Sequence, residues 1–171
     1  MSEFMRLAPL PWSDYEGEYG FVNYEGKVVL DVGADYGSTA AYFLRKGALR
    51  VVAVEADDAY FEMLTKNIVA CANGESRVTA VHCVVSNPEQ FEGLICAFRP
   101  DIVKVDCEGC EVSLLQIPDR VFSSVPEYIM EIHSDDLYDR FIEKFGRLGY
   151  SVDHADNWTV GVWVIHAKRV S

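Results

Sequence analysis

No apolar run in this chain approaches the ~18 residues that a membrane-spanning helix requires. The stretch from Met1 to Trp12 also lacks the basic-then-apolar order of a secretory signal. A cytoplasmic protein with no membrane partner is the expectation. Clusters of lysine and arginine are missing too: 15 basic residues face 27 acidic ones, giving a net charge of −12. Phosphate backbones are bound by such clusters, so no nucleic acid is expected as a partner, and a neutral or cationic substrate is favoured over an anionic one. Internal repeats, low-complexity tracts and linkers are lacking. At 171 residues, 50% of them hydrophobic, the chain is long enough to bury one proper core.

Cysteine is sparse and odd in number, at five, which points to a reducing compartment and free thiols. Cys107 and Cys110 form a single C-x-x-C at the start of a predicted helix. Glu108 between them would raise the thiol pKa values, and no second pair completes a zinc site, so neither redox nor metal chemistry is assigned to them. Cys71, Cys83 and Cys96 read as small core hydrophobes.

Two nucleotide signatures are absent as well. No G-x-x-x-x-G-K-[ST] occurs, which excludes a phosphate-cradling loop of that type. The G-x-G-x-x-G of dinucleotide folds is broken, because its second glycine is replaced by Asp35 within VVLDVGADYGS, Val28 to Ser38. A carboxylate there would meet the diphosphate, so NAD and FAD are disfavoured. What is present is an apolar strand ending in Asp31, a bend through Gly33 and Gly37, a helix opening at Ser38-Thr39, and a second apolar run ending on Glu55-Ala56. Glu55 stands twenty-two residues beyond Gly33, where an acid can grip a ribose diol. S-adenosylmethionine suits this set: it has no phosphate, and its sulfonium and ammonium groups are favoured by Asp31 and Asp35.

Beyond a lead-in over 1–26, with a short strand expected at Tyr19 to Tyr24, strands and helices alternate. Strands are predicted at Lys27–Asp31, Arg50–Glu55, Arg77–Cys83, Asp101–Asp106, Glu127–Ile132, Tyr150–His154 and Thr159–Ala167. Helices are predicted at Ser38–Lys46 and, capped by Asp57 or Asp58, with Tyr60, Met63, Leu64, Asn67, Ile68 and Cys71 inward. Asn73-Gly74 reads as a turn. Further helices follow Pro88, span Val112 to Ile117, and start at Ser134 or Asp135. This order implies an α/β fold: a Rossmann-like three-layer α/β/α sandwich around a mostly parallel seven-stranded sheet with an antiparallel C-terminal strand.

In such sheets the site lies at the carboxyl ends of the strands, where Asp31, Glu55, Asp106 and Glu131 fall, with His133 just beyond. Lys104 and Asp106 share one face of their strand. Glu108 and Glu111 also fit as first-turn acids at a helix N-terminus; that reading is adopted for Glu111, while Asp106 and Glu108 are taken as functional.

VVLDVGADYGS, VVAVEAD, IVKVDCEGCEVSLL and YIMEIHS resemble the FkbM-type S-adenosylmethionine-dependent methyltransferases over about Gly26 to Tyr150. The K-x-D-x-E-G-x-E block is the most specific part. The resemblance implies a class I methyltransferase domain over 27–171 that methylates hydroxyl groups of sugars and other small molecules. Asp31, Gly33 and Asp35 would hold the methionine end of the cofactor, Glu55 the ribose hydroxyls and the backbone around Val84 the adenine, with Gly37 and Ala56 also in the cofactor site. Asp35 stands where the family more often has Asn. Lys104, Asp106, Glu108, Glu131 and His133 would face the acceptor. The chain carries no extra capping segment, so a large acceptor or an open pocket is expected.

The implied reaction is an in-line displacement of the sulfonium methyl by an acceptor oxygen, whose proton must be taken up by a base or a metal. His133 is the best base by intrinsic pKa, followed by Asp106. A divalent ion on Asp106, Glu108 and Glu131 is the alternative, and no metal ligand is assigned. RNA or protein methylation, or cofactor binding without turnover, are the rival functions. The block after the fourth strand reads KVDCEG rather than the D/N-P-P-Y/F of base-amine methylation. The oligomeric state stays open, with a homodimer among the candidates.

Overall fold

The computed structural model describes residues 12–69 and 77–170, in two compact units, Met1–Val84 and Val85–Ser171. Cys71 and the Asn73-Gly74 turn lie outside the described residues.

The first unit begins with helix α1 (Trp12–Tyr19). The sequence suggested a strand over Tyr19 to Tyr24, but Tyr19 ends this helix and a turn follows. The reason is aromatic packing: Tyr19 lies against Phe43 (5.7 Å between centroids) and Tyr24 stacks on Phe43 (4.9 Å). The lead-in therefore joins the core of this unit. Its Tyr15 hydroxyl donates to Ser38 Oγ at 2.8 Å.

Strands β1 (Val28–Val32), β2 (Arg50–Glu55) and β3 (Val78–His82) lie parallel in the order β3-β2-β1, with Asp31 opposite Ala53 and Glu55 opposite His82. The near-continuous Val, Leu and Ala runs suit strands covered on both faces. Between them run α2 (Ser38–Arg45) and α3 (Asp58–Val69). Asp57 caps α3, accepting from the N–H groups of Ala59 (2.8 Å) and Tyr60 (3.0 Å). Only Leu64 and Ile68 of α3 are buried, whereas Tyr60 and Met63, predicted inward, are exposed. Tyr60 lies instead near the Tyr36 ring, at 6.0 Å.

The second unit holds β4 (Ile102–Val105), β5 (Glu127–Ile132), β6 (Tyr150–Thr159) and β7 (Val162–Arg169) in the order β4-β5-β7-β6. β4 and β5 are parallel, and β7 is antiparallel to both its neighbours. Across the two units this is the mostly parallel, seven-stranded set with an antiparallel C-terminal strand read from the sequence. β6 runs five residues past its predicted end, with irregular register after Val152 and Asn157.

The helices of this unit are α4 (Pro88–Phe98), α5 (Glu111–Gln116), α6 (Asp119–Phe122) and α7 (Asp135–Arg147). α6 is an element that the sequence pattern did not show, a single turn that Pro118 opens directly after the end of α5. Ser134 caps α7, accepting from Leu137 N–H at 3.1 Å, and acids in its first turn with bases in its last complement the helix dipole. Lys144 of α7 reaches back to α5, its buried ammonium donating to Leu115 O (2.8 Å) and Ile117 O (3.1 Å). α5, which carries Glu111 at its start, is thereby pinned at its other end.

Cys96, expected in the core, sits on the exposed side of α4, and Cys83 is half-buried. Both are free thiols.

Candidate functional site

Two constellations stand out, one in each unit. In the first, the chain leaves β1 and bends through three residues with positive φ: Gly33 (83°), Asp35 (49°) and Gly37 (93°). Gly37 is the N-cap of α2, and a side chain there would be strained in that conformation. Asp35 is not a glycine, and holding it in the left-handed region costs about 1 kcal/mol. The bend is secured from β2: Val54 O accepts from both Gly33 N–H (3.0 Å) and Ala34 N–H (3.1 Å).

Glu55 provides the second anchor. It is 6% exposed, and its Oε2 accepts from Asp35 N–H at 2.7 Å while Oε1 accepts from Ala56 and Asp57 N–H, both at 2.8 Å. A carboxylate offers about four lone-pair sites. Three serve the protein's own backbone, so Glu55 fixes the loop before it grips anything else. Asp31 is fully buried inside β1, and its Oδ2 accepts from the Thr39 hydroxyl at 2.6 Å, tying the strand to the first turn of α2. Val84 lies just beyond β3 and is 60% exposed.

His82 was overlooked in the sequence. It stands opposite Glu55, stacks on Phe61 (4.5 Å), and its Nε2 lies 3.2 Å from Ala56 O and 3.3 Å from Asp58 Oδ1. The signal was available, since a polar residue closes this apolar strand just as Glu55 closes its neighbour. Three acids belong to the bend and its anchors: Asp31 in β1, Asp35 in the bend itself and Glu55 at the end of β2. Such an electrostatic character suits a cationic or hydroxylated ligand and opposes a diphosphate.

The second constellation surrounds His133, just after β5. Its Nδ1 lies 2.6 Å from Glu111 Oε1, while Nε2 lies 3.6 Å from Glu131 Oε1 and 3.8 Å from Glu108 Oε1. Asp106 joins the same group: one ligand atom each from Asp106, Glu131 and His133 fall within 4.8 Å of one another. Lys104 is 1% exposed, with its ammonium 3.6 Å from Asp106 Oδ2. Burial pulls the His133 pKa down, but the hydrogen bond that Glu111 accepts and the charges of Glu111, Glu108 and Glu131 outweigh it, leaving the pKa raised.

Glu111 corrects the reading of it as a simple first-turn acid. Its side chain is fully buried and reaches His133, and its Oε2 has no hydrogen-bond partner among the described residues. The helical period contained the signal, because Glu111 lies three residues before buried Leu114, on the inner face of α5.

Between β4 and α5, Cys107 and Cys110 are joined in a disulfide, against the expectation of free thiols. Glu108 (φ 49°) and Gly109 (φ 117°) form a left-handed turn that brings the two Cα atoms to 5.6 Å, within disulfide reach. The bond closes the loop that carries Glu108.

Among the described residues no helix is long and apolar enough to cross a membrane. No family profile matches the sequence. Two viral relatives are similar in part: protein 158B of Sulfolobus islandicus rod-shaped virus 1 (28% identity; 65% of this chain and 65% of the relative) and protein 65 of a Sulfolobus islandicus filamentous virus from Iceland/Hveragerdi (31%; 60% and 59%). The chain thus spans less than two thirds of the length of these curated relatives.

Solved structures with the same fold include a protein of the NADB-Rossmann superfamily from Streptococcus agalactiae (TM-score 0.70, 14% identity, 96% of this chain and 71% of the other). They also include precorrin-6y C5,15-methyltransferase from Geobacter metallireducens (0.58, 22%, 85% and 81%). A third is Aeropyrum pernix fibrillarin with natively bound S-adenosyl-L-methionine (0.59, 18%, 84% and 66%). The fold is therefore Rossmann-like.

Proposed function

We propose that this protein is an S-adenosylmethionine-dependent methyltransferase acting on a hydroxyl group of a small molecule or sugar. The observation that carries the reading is the bend after β1, built on positive-φ Gly33, Asp35 and Gly37 and locked by Glu55. In sequence Asp35 takes the position of the dinucleotide motif's second glycine, where a diphosphate needs room, and the acids Asp31, Asp35 and Glu55 favour a sulfonium and an ammonium. The likeness to fibrillarin with bound S-adenosyl-L-methionine and to a precorrin methyltransferase supports the same cofactor. The FkbM resemblance in the K-x-D-x-E-G-x-E block supports a hydroxyl acceptor.

In this reading Asp31, Asp35 and the bend hold the methionine end of the cofactor. Glu55 has one lone-pair site left for a ribose hydroxyl, and Ala56 and Val84 line the nucleoside side. The transfer is a single displacement: the acceptor oxygen forms a bond to the methyl carbon, the carbon–sulfur bond breaks with its electrons going to sulfur, and S-adenosylhomocysteine leaves. The hydroxyl proton has to go somewhere as the new bond forms. The cluster of Asp106, Glu108, Glu131 and His133 supplies a destination in either of two ways, through the imidazole Nε2 as base or through a bound cation that acidifies the hydroxyl. Lys104 acts through Asp106 as a positioning residue.

RNA methylation is the second reading, favoured by the likeness of fold to an RNA methyltransferase from Pyrococcus horikoshii and opposed by the net charge of −12. Transfer of a radiolabelled methyl group from S-adenosylmethionine, offered a panel of sugar and metabolite hydroxyls beside transcribed RNA, tests the proposal. Label in the hydroxyl compounds supports it, and label confined to RNA overturns the acceptor class. Cofactor binding with no transfer to any acceptor would leave a binding domain without turnover.

A further inference from the structure

We propose that Asp106, Glu131 and His133 form a binding site for one divalent transition-metal ion of the manganese-to-zinc range, with Glu111 as the buried carboxylate that orients the histidine. The residues come from two neighbouring strand ends of one unit. Asp106 follows β4, and Glu131 and His133 flank the end of β5.

Three observations carry the proposal. The first is geometry: one donor atom from each of the three residues lies within 4.8 Å of the others. Donors about 2.1 Å from one ion stand about 3–4 Å apart. Small rotations of half-buried side chains close that gap.

The second is the chemistry facing His133 Nε2. Glu131 Oε1 at 3.6 Å and Glu108 Oε1 at 3.8 Å are both acceptors. Nδ1 is taken up by Glu111, so Nε2 is the ring nitrogen turned toward these carboxylates, the arrangement in which ring and carboxylates can ligate one cation together.

The third observation is Glu111. Metal-ligating histidines almost always donate their other N–H to a carboxylate or carbonyl, which fixes the ring and raises its basicity. Glu111 supplies that contact at 2.6 Å from a fully buried position. Its Oε2 lacks a hydrogen-bond partner among the described residues. A buried anion of this kind is costly by itself, and positive charge across the ring offsets it.

Two carboxylates with one imidazole select the metal class. All-oxygen sites suit magnesium and calcium, thiolate sites suit zinc and copper(I), and mixed oxygen and imidazole sites suit manganese, iron, cobalt and zinc. The neighbouring sulfurs of Cys107 and Cys110 are committed to each other and are not ligands in this state. In the methyl-transfer reading, on which only this role rests, an ion held by these residues would acidify an acceptor hydroxyl.

The test uses the full chain, without a polyhistidine tag, stripped of metal and titrated with Co²⁺ and Mn²⁺ by calorimetry and visible absorption. One ion per chain with oxygen and nitrogen ligation is the expected result. Affinity should fall at least tenfold in Glu131→Gln and in His133→Ala, and about tenfold in Glu111→Gln. Glu131→Gln is nearly isosteric, so its circular dichroism and melting curve separate lost ligation from lost folding. No stoichiometric binding by the wild-type chain overturns the proposal. So does binding that needs a thiol reductant and vanishes in Cys107→Ser, since the metal would then sit on thiolates. These readouts are independent of methyl transfer, so failure of the cofactor reading leaves them intact.

Discussion

Glu111 and His133, twenty-two residues apart in the chain, share a hydrogen bond of 2.6 Å between Oε1 and Nδ1. This contact fixes the ring, because a carboxylate at Nδ1 keeps the proton there and leaves Nε2 to act. Nε2 is turned toward Glu131 and Glu108. A buried acid at the start of a short helix thereby decides which nitrogen the second unit offers to a proton or a cation.

The first prediction follows from that pair. His133→Ala lowers turnover ~10²–10⁴-fold and leaves cofactor affinity nearly unchanged. Glu111→Gln, which keeps the volume but loses the charge, lowers turnover less. If the cluster works through a metal, a chelator abolishes activity and Asp106→Asn reproduces the chelator's effect. Steady-state turnover of the single variants, with and without chelator, checks this. Full activity in all of them would show that the cluster is structural and that transfer proceeds by positioning alone.

Glu55 makes the second prediction. It accepts three backbone N–H groups, from Asp35, Ala56 and Asp57, so its loss loosens the bend as well as the ribose contact. Glu55→Ala weakens cofactor binding by ~1.5–3 kcal/mol, the scale of lost hydrogen bonds to a charged group, and lowers the melting temperature. Calorimetry and thermal denaturation measure the two effects together. An unchanged dissociation constant would mean that this carboxylate serves the loop only.

The third prediction concerns stability and pH. His166 of β7 is buried, with Nε2 2.6 Å from Glu127 Oε1 and Nδ1 bonded to Asp153. Burial lowers its pKa, and the hydrogen bonds to Glu127 and Asp153 with their charges outweigh that, so the folded value lies above the usual 6.5. A histidine raised in this way contributes stability that is complete below its unfolded pKa and is lost as pH rises through the folded one. The melting temperature therefore falls as pH climbs above about 6.5, and His166→Gln flattens that part of the curve. Calorimetric scans of both proteins across this range supply the check, and parallel curves would contradict the assignment.

Much of the fold was legible because hydrophobic period and turn residues agreed with each other. β2 and β5 have the limits read from sequence, Arg50–Glu55 and Glu127–Ile132, since β2 is an apolar run closed by Glu55 and β5 runs into polar His133 and Ser134. The failures have physical causes. Tyr19 to Tyr24 has the composition of a strand, but its aromatic rings pack on Phe43 from a helix end and a turn. Tyr60 and Met63 follow the inward period of α3 yet stay exposed, because only Leu64 and Ile68 of that helix are buried.

At the site, sequence position identified the residues at the strand tips but not their partners. Glu111 resembled a helix-dipole acid until its contact with His133 was seen, and a contact across twenty-two residues leaves no local pattern. The Cys107–Cys110 bond depends on positive φ at Glu108 and Gly109, which composition alone did not reveal.

The central claim is the identity of the cofactor, and the most direct measurement is a calorimetric titration of the full chain with S-adenosylmethionine, S-adenosylhomocysteine and NAD under one buffer. Asp35 in the place of the second dinucleotide glycine, beside Glu55, predicts measurable binding of the first two and none of NAD. Tighter binding of NAD than of either sulfur compound would contradict the account.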